Sequence, residues 1–329
     1  MLIDTYGRVA TDLRVSLTDR CNLRCTYCMP EEGLQWLAKP DLLTDDEIVR
    51  LIRIAVTALG VTEVRFTGGE PLLRPGLVDI VRRCAELSPR PRMSLTTNGI
   101  GLARTAEALR AAGLDRVNVS LDTLRPEVFR TLTRRNRHQD VLAGLAAARA
   151  AGLAPVKVNT VLMPGTNDDE APELLAWAIE NRYELRFIEQ MPLDAQHGWT
   201  REGMITAGDI LASLRTRFRL TPEERQARGS APAERWLVDG GPARVGVIAS
   251  VTRPFCQACD RTRLTADGQV RTCLFAREES DLRGALRSGA TDEEIARLWR
   301  RAMWGKKAGS GLDDPSFLQP DRPMSAIGG

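Results

Sequence analysis

The chain has no apolar run long enough to cross a bilayer, which excludes a helical membrane span. Its opening stretch, Met1 to Ala10, lacks the basic and apolar regions of a signal peptide, so a cytoplasmic protein is expected. Neither sign of charge is in excess: 46 basic against 43 acidic residues leave a net charge of +3. That balance excludes nucleic-acid binding through bulk phosphate neutralisation, and any anion site must be local. Histidine is scarce, with only His138 and His197. With no export signal, the seven cysteines are not read as a disulfide framework, because cytosolic thiols are kept reduced.

At 329 residues, 43% hydrophobic and 27% charged, the chain suits one large α/β domain or two packed lobes. From residue 11 to about 190, short β-branched runs alternate with stretches of helical period, the signature of successive βα units and a parallel sheet. Strands are expected at LRVSL (13–17), EVRFT (63–67), RMSLTT (92–97), RVNVSLD (116–122), VKVNTVL (156–162) and ELRFIEQM (184–191). The intervening helix TDDEIVRLIRIAVTALG has Thr44 as N-cap, Glu47 at the capping-box position and Gly60 at its end; others are expected at 76–87, 103–112, 138–151 and 169–182.

Six such units predict an α/β fold of the partial, laterally open (β/α)6 TIM type rather than a closed barrel of eight. After about residue 215 the rhythm breaks into charged sequence with Pro and Gly, followed by short strands at ERWLVD and ARVGVIAS and helical stretches at 278–287 and 291–304. The expected division is therefore a barrel over 1–215 and a second lobe over 216–329, ending in a Gly-, Pro- and Ser-rich tail.

Six cysteines fall into two tight groups, Cys21/Cys25/Cys28 and Cys256/Cys259/Cys273, whereas Cys84 sits in the apolar pattern of a helix core. Three thiolates at C-x3-C-x2-C spacing can grip three corners of a 4Fe-4S cluster and leave the fourth iron for an exogenous ligand. The loop follows the first strand, where a barrel gathers its functional residues. The second group again offers three thiolates. Zinc is the competing reading for both, but it requires a fourth ligand that neither group has nearby in sequence. Strand-end polar residues recur on consecutive units, with Thr96, Thr97, Asn98 and Gly99 after the third strand and Ser120 and Asp122 after the fourth; singly, such residues are commonly helix caps.

DRCNLRCTYCMP resembles the cluster loop of the radical S-adenosylmethionine superfamily, and Thr67-Gly68-Gly69-Glu70-Pro71 resembles its GGEP motif. With Cys256-x2-Cys259-x13-Cys273 and Arg261 and Arg263 directly after the CxxC, the whole chain is similar to the GTP 3′,8-cyclase family of molybdenum cofactor biosynthesis. That resemblance implies a lyase with two 4Fe-4S clusters. It converts GTP to (8S)-3′,8-cyclo-7,8-dihydroguanosine 5′-triphosphate through a 5′-deoxyadenosyl radical. By motif, Tyr27, Gly69, Ser120 and Met191 are assigned to S-adenosylmethionine, and Arg14, Arg65, Thr96, Lys157, Arg261, Thr262 and Arg263 to GTP, with guanine against the second cluster.

The terminal Gly328 and Gly329 match a family tail that reaches the active site. The family often has a further Lys two residues before Arg65; here Glu63 stands there, on the same strand face, and pairing with Arg65 is expected. The resemblance also implies a flavodoxin- or ferredoxin-type electron donor and a downstream cyclic pyranopterin monophosphate synthase, and it allows a homodimer. The alternatives are another two-cluster radical enzyme, of the peptide-modifying or sulfatase-maturing kind, and a zinc-binding non-enzyme.

Overall fold

The computed structural model describes residues 1–224 and 228–328. In chain order its elements are β1 (Asp12–Ser16), α1 (Asp45–Leu59), β2 (Glu63–Thr67), α2 (Leu77–Ala85), β3 (Arg92–Thr97), α3 (Leu102–Ala111), β4 (Arg116–Ser120), α4 (Pro126–Thr133), α5 (His138–Ala150), β5 (Lys157–Val161), α6 (Ala171–Glu180) and β6 (Glu184–Ile188). There follow α7 (Ala207–Arg215), β7 (Leu220–Pro222), β8 (Glu234–Val238), β9 (Arg244–Ile248), β10 (Arg261–Leu264), β11 (Gln269–Arg271), β12 (Ser280–Asp281), α8 (Arg283–Arg287), α9 (Asp292–Trp304) and α10 (Met324–Ile327).

Local chemistry explains most of these boundaries. The Thr44 hydroxyl accepts from the Glu47 amide at 3.1 Å while the Glu47 carboxylate accepts from the Thr44 amide at 2.8 Å, a reciprocal cap worth about 1 kcal/mol. Gly60 ends α1 at φ +82°, in the left-handed region that a side chain would resist. Ile48, Leu51, Ile52, Ala55 and Leu59 form its buried stripe against the sheet.

All six expected strands form, trimmed by a residue or more at several ends. Three helices were not expected, the third being the four-residue α10 in the tail. The eight residues of α4 carry too short an apolar pattern to stand out, and α7 opens on a Thr206/Asp209 capping box with a short carboxylate. The helix expected over 278–287 begins only at Arg283, because Ser280–Asp281 instead pair with β11.

The twelve strands make one sheet in the order β12-β11-β10-β1-β2-β3-β4-β5-β6-β9-β8-β7. Eight neighbours from β10 to β9 run parallel, and antiparallel strands extend both edges. The six-strand barrel is thus flanked on each side by a parallel strand from the C-terminal part of the chain, and the sheet is continuous across residue 215. Among the described residues no pairing joins β12 to β7, so the barrel stays open. The core lies between the outer face of the sheet and the helices, with Val15, Val64, Leu95, Val117, Val158 and Phe187 fully buried. Alternation sends the intervening residues inward.

Candidate active site

Those inward residues are unusually charged. Arg263, Arg14 and Arg65 are in register across β10, β1 and β2, and Asp12 lies in register with Arg261 on one side and Glu63 on the other. The Asp12 carboxylate stands 3.9 to 4.0 Å from Arg14, Arg65 and Arg261. Burial opposes its ionisation, but the guanidiniums of Arg65, Arg14, Arg261 and Arg263 hold its carboxyl below the usual range. Asp260, 3.9 Å from Arg261, is the second carboxylate here, and two carboxylates do not balance four guanidiniums. Burial, then neighbouring cations, pushes Arg14 well below the ordinary arginine value, and burial brings Arg263 down to about 10. The buried Nε atoms of Arg14, Arg65 and Arg261 have no hydrogen-bond partner. Buried donors without acceptors are costly, so this wall is built for an anion.

All six grouped cysteines line the same cavity, of about 340 Å³, with Arg14, Arg65, Arg261 and Arg263. The first group occupies the loop after β1. Its backbone is docked on α4, where the Arg24 and Thr26 amides donate to the Thr133 and Leu132 carbonyls at 3.0 and 2.9 Å. These are carbonyls that a helix end leaves free. Arg134, at the left-handed end of α4, donates to the carbonyls of Arg24 and Met29, both at 3.1 Å.

Burial drives the Cys25 thiol far up, with Cys28, Asp122 and Cys21 adding to the rise, and burial brings Cys28 to about 12. In the second group, burial raises Cys256 with help from Cys273. At Cys259 burial is outweighed by Lys306 and Arg261, and the thiol is lowered. Each triplet is therefore close enough for its thiols to repel one another as thiolates. Among the described residues no three His, Cys, Asp or Glu side chains converge on a single ion position. A 4Fe-4S cluster does not require one shared position, since each thiolate binds its own iron.

Between the cysteine loops, Tyr27, Gly69, Thr96, Ser120 and Met191 all line the cavity. Tyr27 donates its phenol to Asp122 at 2.7 Å, and Asp122 is raised by burial to about 6. Gly69 is required by packing: a Cβ there would overlap the carbonyl oxygens of Asp19 and Arg20, where the loops after β1 and β2 cross. Glu70 of the same motif is fully buried and accepts from Thr97 Oγ1, the Asn98 amide and the Leu72 amide at 2.7, 2.7 and 2.9 Å. Burial nevertheless raises its carboxyl to about 7.

Two expectations need correction, those for Thr262 and Glu63. Thr262 alternates with Arg261 and Arg263, so its side chain faces outward, where its hydroxyl accepts from the Trp299 indole at 3.0 Å. Lys157 has the inward parity of Asn159 on β5; its ammonium sits 3.5 Å from Glu184, and burial lowers it to about 8. Glu63 pairs with Arg92 and, at 3.2 Å, with Arg116 of β4, leaving Arg65 to Asp12. Ser94, the small residue in register with both Arg65 and Arg116, leaves room for that pairing.

Arg186 and Asn159 were missed. They are in register with each other, and both line the cavity; the signal was available, because Arg186 has the parity of Glu184 and Ile188. The tail does enter the barrel: the Gly328 carbonyl accepts from Arg263, while Ser325 and Ile327 are buried. Arg322 fixes its approach by a two-pronged contact with Asp267 at 2.9 and 2.7 Å. Gly329 lies outside the described residues. Cys84 is buried in α2, away from both groups.

Comparison with known proteins identifies the family. The Radical SAM superfamily profile matches residues 15–178, and Molybdenum Cofactor Synthesis C matches residues 183–312. In fold, the chain is similar to Streptococcus suis SuiB solved with S-adenosylmethionine, at a TM-score of 0.60 and 15% identity over 88% of this chain and 68% of that one. In sequence it is 85% identical to the GTP 3′,8-cyclase of Streptomyces coelicolor, covering 100% of this chain and 96% of the relative. It is 65% identical to that of Mycobacterium sp. strain KMS, covering 100% and 93%, and 63% identical to GTP 3′,8-cyclase 2 of Mycobacterium tuberculosis H37Rv, covering 100% and 92%. The chain belongs to the GTP 3′,8-cyclase family of the radical SAM superfamily.

Proposed function

We propose that this protein is the lyase that converts GTP to (8S)-3′,8-cyclo-7,8-dihydroguanosine 5′-triphosphate, the first step of molybdenum cofactor biosynthesis. The observation that carries the reading is the row of interior arginines set between two cysteine triplets in one cavity. Cys21, Cys25 and Cys28 would hold one 4Fe-4S cluster and Cys256, Cys259 and Cys273 a second. When bound, the first supplies the electron that cleaves S-adenosylmethionine and so starts the radical chemistry.

The protein's own part is to bind, orient and shield. Arg14, Arg65, Arg261 and Arg263 hold the triphosphate through charge-assisted hydrogen bonds, satisfying nitrogens that otherwise lack acceptors. Arg186 adds a fifth guanidinium on the facing wall. Tyr27, fixed by Asp122, and the Gly69 backbone with Ser120 and Met191 hold S-adenosylmethionine near the first triplet. The reaction joins C3′ to C8 of one guanosine, so anchoring the phosphates at one end and guanine at the other does much of the orienting work.

Residues 1–215 then serve S-adenosylmethionine and 216–329 the guanine end and the tail. A one-electron carrier of flavodoxin or ferredoxin type and a downstream cyclic pyranopterin monophosphate synthase complete the setting, which we take to be cytoplasmic. Among the described residues no helix is long and apolar enough to cross a membrane.

Anaerobic incubation with GTP, S-adenosylmethionine and reductant is expected to give 5′-deoxyadenosine together with the cyclised nucleotide. Deoxyadenosine with GTP unchanged would overturn the substrate. The outward placement of Thr262 makes a sharper forecast: Thr262→Val leaves GTP affinity unchanged and costs about 1–3 kcal/mol of stability, because the buried Trp299 indole loses its acceptor. Urea unfolding and GTP titration of the same variant check both halves.

A further inference from the structure

Lys306 follows α9 and is 4% exposed. Its ammonium donates to the Arg261 carbonyl at 2.8 Å and to Cys259 twice, at 3.3 Å to the sulfur and at 3.5 Å to the carbonyl oxygen. Three donors thus meet three acceptors. Among the described residues no carboxylate pairs with this lysine, so the Cys259 sulfur is the one group in reach that can carry a compensating negative charge. A buried ammonium with no anion is costly, and the placement makes sense once Cys259 is a thiolate.

The lysine is also held firmly. Its amide donates to the Met303 carbonyl at 3.1 Å, and Met303 and Trp299 are buried. The next two residues are tied to the second cysteine loop by Arg8, which donates to the carbonyls of Lys307, Ala308 and Cys256 at 2.6, 2.8 and 2.8 Å. Arg8 is itself set by Asp4 at 2.6 Å. The first ten residues, the segment after α9 and the CxxC loop therefore form one unit around Cys259.

Resting on the two-cluster reading above, we propose that Lys306 is a positioning residue for the second cluster: its ammonium fixes the Cys259 thiolate and draws negative charge from the iron-sulfur unit. A hydrogen bond and a cation on a ligand sulfur strengthen metal retention and favour the reduced, more negative state.

The test uses the full chain with Cys21, Cys25 and Cys28 replaced by alanine, so that only the second site can hold iron, reconstituted anaerobically with iron and sulfide. With Lys306 intact, about four irons per chain are expected. Lys306→Gln in that background should lose about 10- to 100-fold in resistance to an iron chelator. Its midpoint potential, followed by electron paramagnetic resonance, should move to a more negative value. Lys306→Arg, which keeps the charge, should lie nearer the parent on both readouts.

A Lys306→Gln protein that keeps parental iron retention and parental potential overturns the proposal. Should Lys306→Gln not fold, Lys306→Met decides on the same two readouts, with Arg261 still reaching the Cys259 sulfur at 3.7 Å in parent and variant alike: weaker iron retention with a more negative potential supports the proposal, and parental values of both overturn it. A parent that takes up no iron and sulfide overturns the two-cluster reading instead, and the proposal with it.

Discussion

Cys25→Ala is expected to end formation of both 5′-deoxyadenosine and cyclised nucleotide while roughly half of the iron, about four of about eight per chain, is retained. The Cys25 thiol lines the cavity close to Cys21 and Cys28, and alanine leaves its corner of the cluster without a thiolate. The loop itself should survive, because its attachments to α4 run through the backbones of Arg24 and Thr26 and through Arg134 rather than through the thiol. The second triplet is carried by different elements and keeps its iron. Cys84→Ala is the matched control, since that thiol belongs to the α2 core. It should cost some stability and leave iron and products intact. Full deoxyadenosine production by Cys25→Ala would remove the first triplet from the chemistry.

Arg263→Ala is expected to weaken GTP binding by about 10- to 100-fold. The guanidinium is 3% exposed, in register with Arg14, and turned into the cavity. A charge-assisted hydrogen bond contributes about 1.5–3 kcal/mol, and 1.4 kcal/mol is a factor of ten. Lysine should restore only part of the loss, because it keeps the charge without the planar fork that matches phosphate oxygens. The same variant releases the Gly328 carbonyl, so turnover at saturating GTP should fall as well. A variant with unchanged affinity and reduced turnover would assign Arg263 to the tail alone. Isothermal titration with GTP and a steady-state assay separate these results.

The βα rhythm was legible because each unit is local: a period-two strand, a turn and a capped helix can be read within about forty residues. RTRL escaped because its two inward positions are arginines, and a strand whose interior face is charged lacks the apolar alternation that announces one. The cysteine spacings were legible for the same local reason. What one strand pattern does not contain is the stagger between strands, and that is where the reading of Glu63 went astray. Its partner Arg116 lies two strands away, reached over the small Ser94, rather than beside it on β2. Thr262 is a different case. Parity alone places it opposite to Arg261 and Arg263, and motif adjacency had overridden that simple rule. Lys306 carried no local signal at all, since its meaning depends on a cysteine 47 positions earlier.

The sheet also has a consequence for how the molecule comes into being. Its flanking parallel strands, β9 and β10, are made after the six between them. A nascent chain that has emerged only through β6 therefore exposes the edges of both β1 and β6, each with a row of unpaired amides and carbonyls. The wall of arginines is still missing Arg261 and Arg263 at that stage. Synthesis of the last third thus sets the moment at which the cavity acquires both its sides, and iron delivered earlier would meet an open sheet rather than a finished chamber.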